Sequence, residues 1–216
     1  ARLTKSDERF NSPRNRMDYI FGRLMRAEAP LLTDDLAYEM SIGRSTFTGD
    51  LKKLRAELEP CRLSILGKTS KGLVLQGQER DIRNYFLESA YETLYGDYPL
   101  DPEITELVDA AFSRSPFEKS EPFQRFLTVM LDRFLTGHPL ENLPQAFYSL
   151  TARREFGVID GLLEEIGRFL HVEFPPEEKL FALLPIVWMR TPADAENMKA
   201  IELDQAMGPL ADEIFR

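Results

Sequence analysis

The sequence predicts a mainly α-helical protein in two parts, with three helices and a β-hairpin first and an all-α helical bundle after them. Apolar residues recur at helical spacing in both parts, and only residues 62–75 contain short β segments. The charge divides the chain similarly: residues 1–80 carry 15 Lys and Arg against 11 Asp and Glu, whereas residues 81–216 carry 12 against 25. A basic module before an acidic one suggests nucleic-acid binding by the first.

The composition excludes several classes of protein and site. The chain has 216 residues, a net charge of −9, the single cysteine Cys61 and two histidines, His138 and His171. These residues cannot form a disulfide framework, a multi-thiolate zinc site or a histidine-rich metal site, and we expect no metal and no cofactor. No apolar run approaches the ~18 residues that span a bilayer, and Ala1–Lys5 lacks the apolar stretch of a secretion signal. We therefore expect a cytoplasmic protein without a membrane partner.

The first helix is predicted to begin at Ser12-Pro13, with serine as its cap and proline at the first helical position. Pro30 closes this helix. Thr33 is predicted to cap a short second helix, whose first turn contains Asp34 and Asp35, where negative charge suits the helix dipole. The apolar faces of these helices consist of Met17, Ile20, Phe21, Leu24 and Met25 in the first and Leu36, Ala37 and Met40 in the second.

A third helix is predicted from Arg44 to Leu58, after the tight connection Ser41-Ile42-Gly43. Its apolar residues are expected to face inward; they are Phe47, Leu51, Leu54 and Leu58. The opposite side is polar and basic; it consists of Arg44, Ser45, Thr48, Gly49, Lys52 and Arg55.

Two short β segments follow the third helix, at about residues 62–66 and about residues 73–75. The loop between them, Gly67–Gly72, has glycine at each end and contains Lys68 and Lys71. Three helices followed by such a hairpin are typical of a winged helix-turn-helix. The alternative interpretation is a plain three-helix bundle with a surface hairpin, as found in proteins that bind only other proteins.

The third helix of a winged helix-turn-helix can enter the major groove of DNA and present side chains to base edges. We expect Arg44 and the short polar side chains of this helix to read bases. Lysines of the hairpin loop can meet phosphates, which give affinity but no sequence information. The predicted DNA-binding residues are Arg44, Ser45, Thr46, Thr48, Lys52, Lys53, Lys68 and Lys71.

The acidic part of the chain is predicted to be an all-α bundle. A helical pattern from Gln78 to about Leu94 ends at Gly96-Asp97-Tyr98-Pro99, where we place a domain boundary. Later helical patterns cover residues 101–112, 123–134, 159–170, 177–184 and 195–216, and Pro185 is expected to end or kink the fourth of them. The predicted domains are residues 1–96, 97–192 and 193–216, the last being the start of a second helical domain in a longer protein.

Two features of the bundle have both a structural and a chemical interpretation. The apolar stripe in residues 123–134 is typical of a bundle core rather than of a cofactor pocket. The pairs Glu164-Glu165 and Glu177-Glu178 resemble metal ligands, but adjacent residues on a helix point in different directions. We interpret both pairs as solvated faces and predict no metal site.

The stretch LAYEMSIGRSTFTGDLKKL, residues 36–54, resembles the N-terminal domain of regulators of the BglG/Mga-like type, which contain phosphotransferase-system regulation domains (PRDs). The stretch KGLVLQGQERDIR, residues 71–83, is similar to the wing and exit helix of the same family. The sequence departs from the family at three positions. Gly43 replaces a usual Ser or Thr cap, Leu73 a usual aromatic residue, and Gly49 a frequent arginine of the recognition helix.

The bundle resembles a PRD over roughly residues 101–190, through the segments FLTVMLDRFLTG, ENLP and EEKLFALLPIV. In this family, histidines that accept a phosphoryl group begin the first of these segments and lie near the end of the last. Phe126 and Pro185 stand at those positions, and neither can be phosphorylated. The resemblance therefore implies no phosphoacceptor in this chain, because His138 and His171 lie elsewhere, at a loop and near a helix end.

These resemblances imply a DNA-binding transcriptional regulator of a sugar-transport or carbohydrate-utilisation operon, whose helical domain serves dimerisation and signal input. The implied partners are double-stranded DNA, a second copy in a homodimer, and phosphotransferase-system proteins acting through segments outside this chain. Two alternatives are a protein–protein adaptor whose helix-turn-helix does not bind DNA and an RNA-binding antiterminator, although such antiterminators begin with a small all-β domain. An enzyme is not expected, because the sequence contains no phosphate-binding glycine loop, no triad and no metal cluster.

Overall fold

The structure, a computed structural model, describes residues 10–68, 72–95, 101–115, 119 and 121–188. These residues form two compact units, one containing the described residues up to Tyr95 and the other those from Asp101 onward. The fold is mainly α-helical, and the described residues contain one two-stranded sheet. This confirms the predicted fold class.

Three helices open the first unit: α1 (Pro13–Met25), α2 (Thr33–Glu39) and α3 (Arg44–Leu58). The predicted starts of α1 and α3 are confirmed. The prediction that Thr33 caps α2 is wrong by one residue, because Thr33 is the first helical residue and Leu32 occupies the cap position. Leu31 forms a β-bridge with Leu73, and this bridge keeps the chain extended until α2 begins.

The core of the first unit is formed where α1 and α2 pack against α3. The predicted inward residues of α3, from Phe47 to Leu58, are at most 6% exposed. A buried ion pair joins α1 to α3, with Nε of Arg16 2.6 Å from Oδ2 of Asp50. The guanidinium of Arg16 also donates to the carbonyl oxygen of Phe10 at 2.7 Å. This pair fixes the helix that carries most of the predicted DNA-binding residues.

The β-hairpin consists of β1 (Ser64–Lys68) and β2 (Gly72–Gln76), which pair antiparallel. The first strand begins two residues later than predicted, because the chain still turns at Arg62, whose backbone is left-handed with φ 59°. Leu31 adds an unpredicted backbone pairing on the outer side of β2, exchanging N–H···O bonds of 3.0 and 2.7 Å with Leu73.

The helix that leaves the first unit contains an irregular turn. It consists of α4 (Glu79–Tyr85), a π-helical turn (Phe86–Ala90) and α5 (Tyr91–Tyr95). The predicted helical pattern is confirmed, but nothing in the sequence predicts the π turn. Such turns interrupt the regular ladder of backbone hydrogen bonds.

Arg14 of α1 binds the carbonyl group of Ser89 in the π turn, with Nη2 donating at 2.9 Å. The same guanidinium donates to Glu57 near the end of α3 at 2.8 Å and to Asp18 of α1 at 3.1 Å. One side chain therefore joins the first helix, the third helix and the exit helix.

The second unit is all-α among its described residues. Its helices are α6 (Pro102–Ser113), α7 (Glu121–Leu135), α8 (Gln145–Tyr148), a 3₁₀ turn (Ser149–Ala152), α9 (Arg154–Leu170) and α10 (Pro176–Trp188). Apolar stripes on α7 and α9 pack against α10, and α6 packs on α9. The side chain of Asp101 caps α6 by accepting a bond from the N–H of Glu103 at 3.0 Å.

The structure differs from two expectations about α10. Pro185 does not end this helix, which continues to Trp188, and the predicted kink at Pro185 stays a prediction. Residues 180–187 are all buried, and packing on every side outweighs the missing backbone bond of proline. Glu178 does not lie on a solvated face, because its carboxylate is fully buried and accepts the backbone N–H of Leu140 at 2.8 Å.

No helix in the described parts of the chain is long and apolar enough to cross a membrane. The helix predicted for residues 195–216 lies outside the described residues.

Candidate nucleic-acid interface

The candidate interface is the polar side of α3. Its apolar side is buried against α1 and α2, so the residues at intervening helical positions point outward. Six of the eight sequence-predicted residues lie on this exposed side of α3: Arg44, Ser45, Thr46, Thr48, Lys52 and Lys53.

The turn between α2 and α3 sets the direction of α3. Ser41 adopts a left-handed backbone with φ 55°. The N–H of Ile42 bonds to the carbonyl of Ala37 at 3.0 Å, and the N–H of Ser41 bonds to that of Tyr38 at 2.9 Å. These bonds end α2 in a Schellman-type cap, in which glycine is the usual left-handed residue. The sequence does not reveal this conformation, because serine stands at the position.

Arg44, the predicted base-reading residue, is paired with an acidic side chain of α2. Its Nη2 lies 2.6 Å from Oδ2 of Asp34, and the two side chains are 84% and 59% exposed. Exposed ion pairs stabilise proteins by less than about 1 kcal/mol. The pair therefore holds Arg44 at the start of α3 but presents only a small barrier to its exchange for another acceptor.

In the middle of α3, the hydroxyl group of Thr48 is hydrogen-bonded to the helix backbone, and Gly49 next to it leaves the surface without a side chain. Oγ1 of Thr48 donates to the carbonyl of Arg44 at 2.8 Å, which leaves the hydroxyl oxygen as an acceptor toward solvent. A β-carbon added to Gly49 would meet no atom within 4 Å. The exposed face therefore has a gap between Thr48 and the lysines Lys52 and Lys53.

The hairpin is the second part of the candidate interface. Lys68 is the last residue of β1, whereas Lys71 lies outside the described residues. Gly72 begins β2 with φ +96°, and a β-carbon there would lie 2.6 Å from the carbonyl oxygen of Leu31. Only glycine fits this close backbone approach, which joins the hairpin to the segment before α2.

The two positions that align with phosphoacceptor histidines lie in the second unit. Phe126 is 7% exposed, and its ring centroid lies 5.1 Å from that of Phe181. Pro185 is buried within α10. His138 lies after α7, with Nδ1 3.4 Å from Oγ1 of Thr136, and His171 ends α9 in a left-handed conformation.

Among the described residues, no three His, Cys, Asp or Glu side chains come together to hold a metal ion. The candidate interface on α3 exposes hydroxyl, guanidinium and ammonium groups. Such groups donate hydrogen bonds to phosphate oxygens and to base edges.

Comparison with protein families supports the assignment of the first unit. Residues 14–89 match the family model of the Mga helix-turn-helix domain. The first unit therefore contains an Mga helix-turn-helix domain, and the resemblance of the chain to regulators of the BglG/Mga-like type is confirmed.

Two curated proteins of Bacillus subtilis (strain 168) are similar to the chain. The probable licABCH operon regulator is 23% identical over 191 residues, which are 81% of this chain and 30% of that protein. The transcriptional regulator ManR is 21% identical over 224 residues, which cover 95% of this chain and 35% of that protein. The chain thus spans about a third of the length of these curated relatives.

Proposed function

We propose that this chain is part of a DNA-binding transcriptional regulator, with the first unit binding the DNA. The observation that carries the proposal is the exposed polar and basic side of α3 in a unit that matches the Mga helix-turn-helix domain. The related proteins are named as a regulator of an operon and a transcriptional regulator. Such a role involves no catalysis and would take place in the cytoplasm.

We further propose that the two ends of α3 have different tasks. Arg44, Ser45, Thr46 and Thr48 lie in its first turns, where a recognition helix meets base edges. Lysines later in α3 and in the hairpin bind phosphates; these are Lys52, Lys53, Lys68 and Lys71.

Arg44 would exchange one acceptor for another on binding. Asp34 holds its guanidinium in the free protein, and the edge of a guanine offers two acceptors in a geometry that suits arginine. Because the ion pair is exposed, the exchange requires little energy. Asp34 also places a negative charge beside the proposed DNA-binding side, so Asp34→Asn is expected to strengthen binding to any duplex.

The test starts with selection of a preferred duplex from a random pool by the full chain. Arg44→Ala is expected to lose about 1–3 kcal/mol of preference for that duplex. Lys52→Ala is expected to weaken binding to all duplexes about equally. It should also reduce the slope of log affinity against log salt concentration by about one. Lys119→Ala in the second unit serves as the control for loss of one positive charge. If the chain binds no duplex at low salt, the proposed function is wrong.

The second unit is proposed to serve dimerisation and signal input. Two winged helices related by two-fold symmetry read twice the length of DNA that one reads. Sedimentation of the full chain is expected to show a homodimer at tens of micromolar. A strict monomer would contradict this part of the proposal.

We propose that the regulated genes serve sugar transport or carbohydrate use, because both units resemble phosphotransferase-linked regulators. Phosphotransferase-system proteins would then be further partners. Genome-wide mapping of bound DNA tests this, since sites away from any sugar-transport operon would contradict it.

A protein–protein adaptor is the second candidate function. Gly49 favours it, because the exposed side of α3 lacks a side chain at a position that faces outward. The duplex-binding test separates the two candidates, since an adaptor would retain its fold and bind no DNA.

A further inference from the structure

Arg55 lies where α3 meets the hairpin. Its Nε donates to the carbonyl oxygen of Ile65 in β1 at 3.1 Å. A β-carbon added to Gly67, two residues along β1, would lie 3.5 Å from Nη2 of Arg55. The guanidinium therefore runs along the strand from Ile65 to Gly67.

The carbonyl that Arg55 binds belongs to the free edge of the hairpin. Leu73 directs both its N–H and its C=O at Leu31, on the side of β2 away from β1. Gly67, the cross-strand partner of Leu73, is therefore in a non-hydrogen-bonded pair. Such pairs alternate with hydrogen-bonded ones along an antiparallel hairpin, so Ile65 and Leu75 also form a non-hydrogen-bonded pair. Backbone groups in such pairs point away from the partner strand. The side-chain Nε–H of Arg55 thus donates to the carbonyl oxygen of Ile65, which has no hydrogen-bond partner within the described strands of the hairpin.

The rest of the guanidinium is available to a further acceptor. Arginine has five N–H donors, and Nε supplies only one of them. The side chain is exposed, and no carboxylate among the described residues forms an ion pair with it. Gly67 has no side chain to cover the Nη groups.

Arg55 also lies on the side of the unit that faces DNA in the proposed function. It is on α3 one turn beyond Lys52, and β1 leads from Gly67 directly to Lys68. A planar guanidinium on the same exposed side of α3 as Lys52 suits a phosphate, which arginine binds through paired N–H groups.

We propose that Arg55 is a positioning residue that also binds DNA. Its Nε–H holds the edge of the hairpin against α3, and its Nη groups bind a backbone phosphate. The phosphate contact rests on the proposed function, whereas the contact with Ile65 is independent of DNA. Arg55 thereby fixes the distance between α3 and β1.

Two substitutions separate the two tasks. In Arg55→Gln, the amide nitrogen stands at the place of Nε along the side chain, so the bond to Ile65 is kept while the charge is lost. In Arg55→Lys the charge is kept, but a methylene group replaces Nε. Lys119→Gln in the second unit is the control for loss of one charge.

The first measurement is the affinity of the full chain for a short mixed-sequence DNA duplex at different salt concentrations. When the salt concentration is raised from about 50 to about 200 mM, the affinity of the unchanged chain falls by a certain factor. For Arg55→Gln that factor is expected to be about threefold smaller, because one phosphate contact is missing. Arg55→Lys and Lys119→Gln are expected to keep the original salt dependence.

The second measurement is amide hydrogen exchange of Leu66 and Val74, which face each other across the hairpin, in the absence of DNA. Exchange is expected to be about two- to tenfold faster in Arg55→Lys, as for one lost hydrogen bond, and unchanged in Arg55→Gln.

The outcomes distinguish this proposal from the proposed function. An unchanged salt dependence in Arg55→Gln overturns the phosphate contact, and unchanged exchange in Arg55→Lys overturns the positioning role. If the unchanged chain binds no duplex, the proposed function and the phosphate contact both fail, whereas the exchange data still decide the positioning role.

Discussion

Two glycines of the first unit have opposite backbone requirements. Gly49 lies in the interior of α3, and a β-carbon there would meet no atom within 4 Å. Gly72 has φ +96°, and a β-carbon there would lie 2.6 Å from the carbonyl oxygen of Leu31. Glycine is thus replaceable at the first position and required at the second.

The same substitution is therefore expected to have opposite effects. Gly49→Ala should stabilise the first unit by about 0.5–1 kcal/mol, because alanine loses less backbone entropy in a helix. Gly72→Ala should destabilise it by about 1–3 kcal/mol through backbone strain. Urea unfolding followed by circular dichroism measures both changes. Effects of the same sign would contradict the backbone geometry described for one of the two positions.

Cys61 is expected to react slowly with alkylating reagents. Burial, together with the nearby carboxylates of Glu88 and Asp81, raises the pKa of its thiol above the ordinary value. The reactive thiolate is therefore a smaller fraction at neutral pH than in the unfolded chain. Its alkylation rate should continue to rise with pH beyond the point at which the rate of the unfolded chain levels off.

Iodoacetamide labelling measures this directly, because the chain has a single cysteine. The urea-unfolded chain is the control. Equal labelling rates for the folded and unfolded chains at neutral pH would contradict the expected protection.

At the scale of elements, burial decides how much an ion pair stabilises the fold. Arg16–Asp50 and Arg44–Asp34 have the same nitrogen–oxygen distance of 2.6 Å. The first pair is 10% and 5% exposed, whereas the second is 84% and 59% exposed. Removing one partner of a buried pair leaves an uncompensated charge, while water replaces the partner of an exposed one.

Asp50→Ala is accordingly expected to destabilise the first unit by about 3–5 kcal/mol. Asp34→Ala, the matched control, is expected to cost less than about 1 kcal/mol. Urea unfolding followed by circular dichroism measures both changes, each against the unchanged chain.

A double variant provides a further check of the buried pair. Arg16→Met with Asp50→Leu should recover most of the stability, because apolar residues leave no buried charge. A loss as large as that of Asp50→Ala alone would show that packing, rather than the unpaired charge, is responsible.

At the scale of the whole molecule, we expect no phosphorylation of this chain by phosphotransferase-system proteins. Phe126 and Pro185 occupy the aligned positions and have no nucleophile, and both lie in packed parts of the second unit. His138 and His171 lie at the ends of other elements.

The measurement is incubation of the chain with the phosphohistidine carrier protein, its kinase and labelled phosphoenolpyruvate. A known substrate of the carrier protein serves as the positive control. Acid-labile label on His138 or His171 at near stoichiometric yield would contradict the expectation.

The sequence alone determined the helices and the chemistry of their surfaces. The bounds of α3 follow from Gly43 before it and from apolar residues at helical spacing, and both are local signals. The exposed residues from Arg44 to Lys53 follow from the same period, because burial of one side of a helix exposes the other. The charge difference between the two parts of the chain also needs no structure.

Only the tertiary structure decided which of these groups contact one another. Asp34 beside Arg44, Leu31 beside Leu73, and Arg55 on the edge of β1 are contacts between different elements. The helical continuation through Pro185 and the burial of Glu178 likewise depend on neighbouring helices. Periodicity describes which side of an element is apolar, but a contact between elements depends on how the chain folds back on itself, and no local pattern encodes that distance.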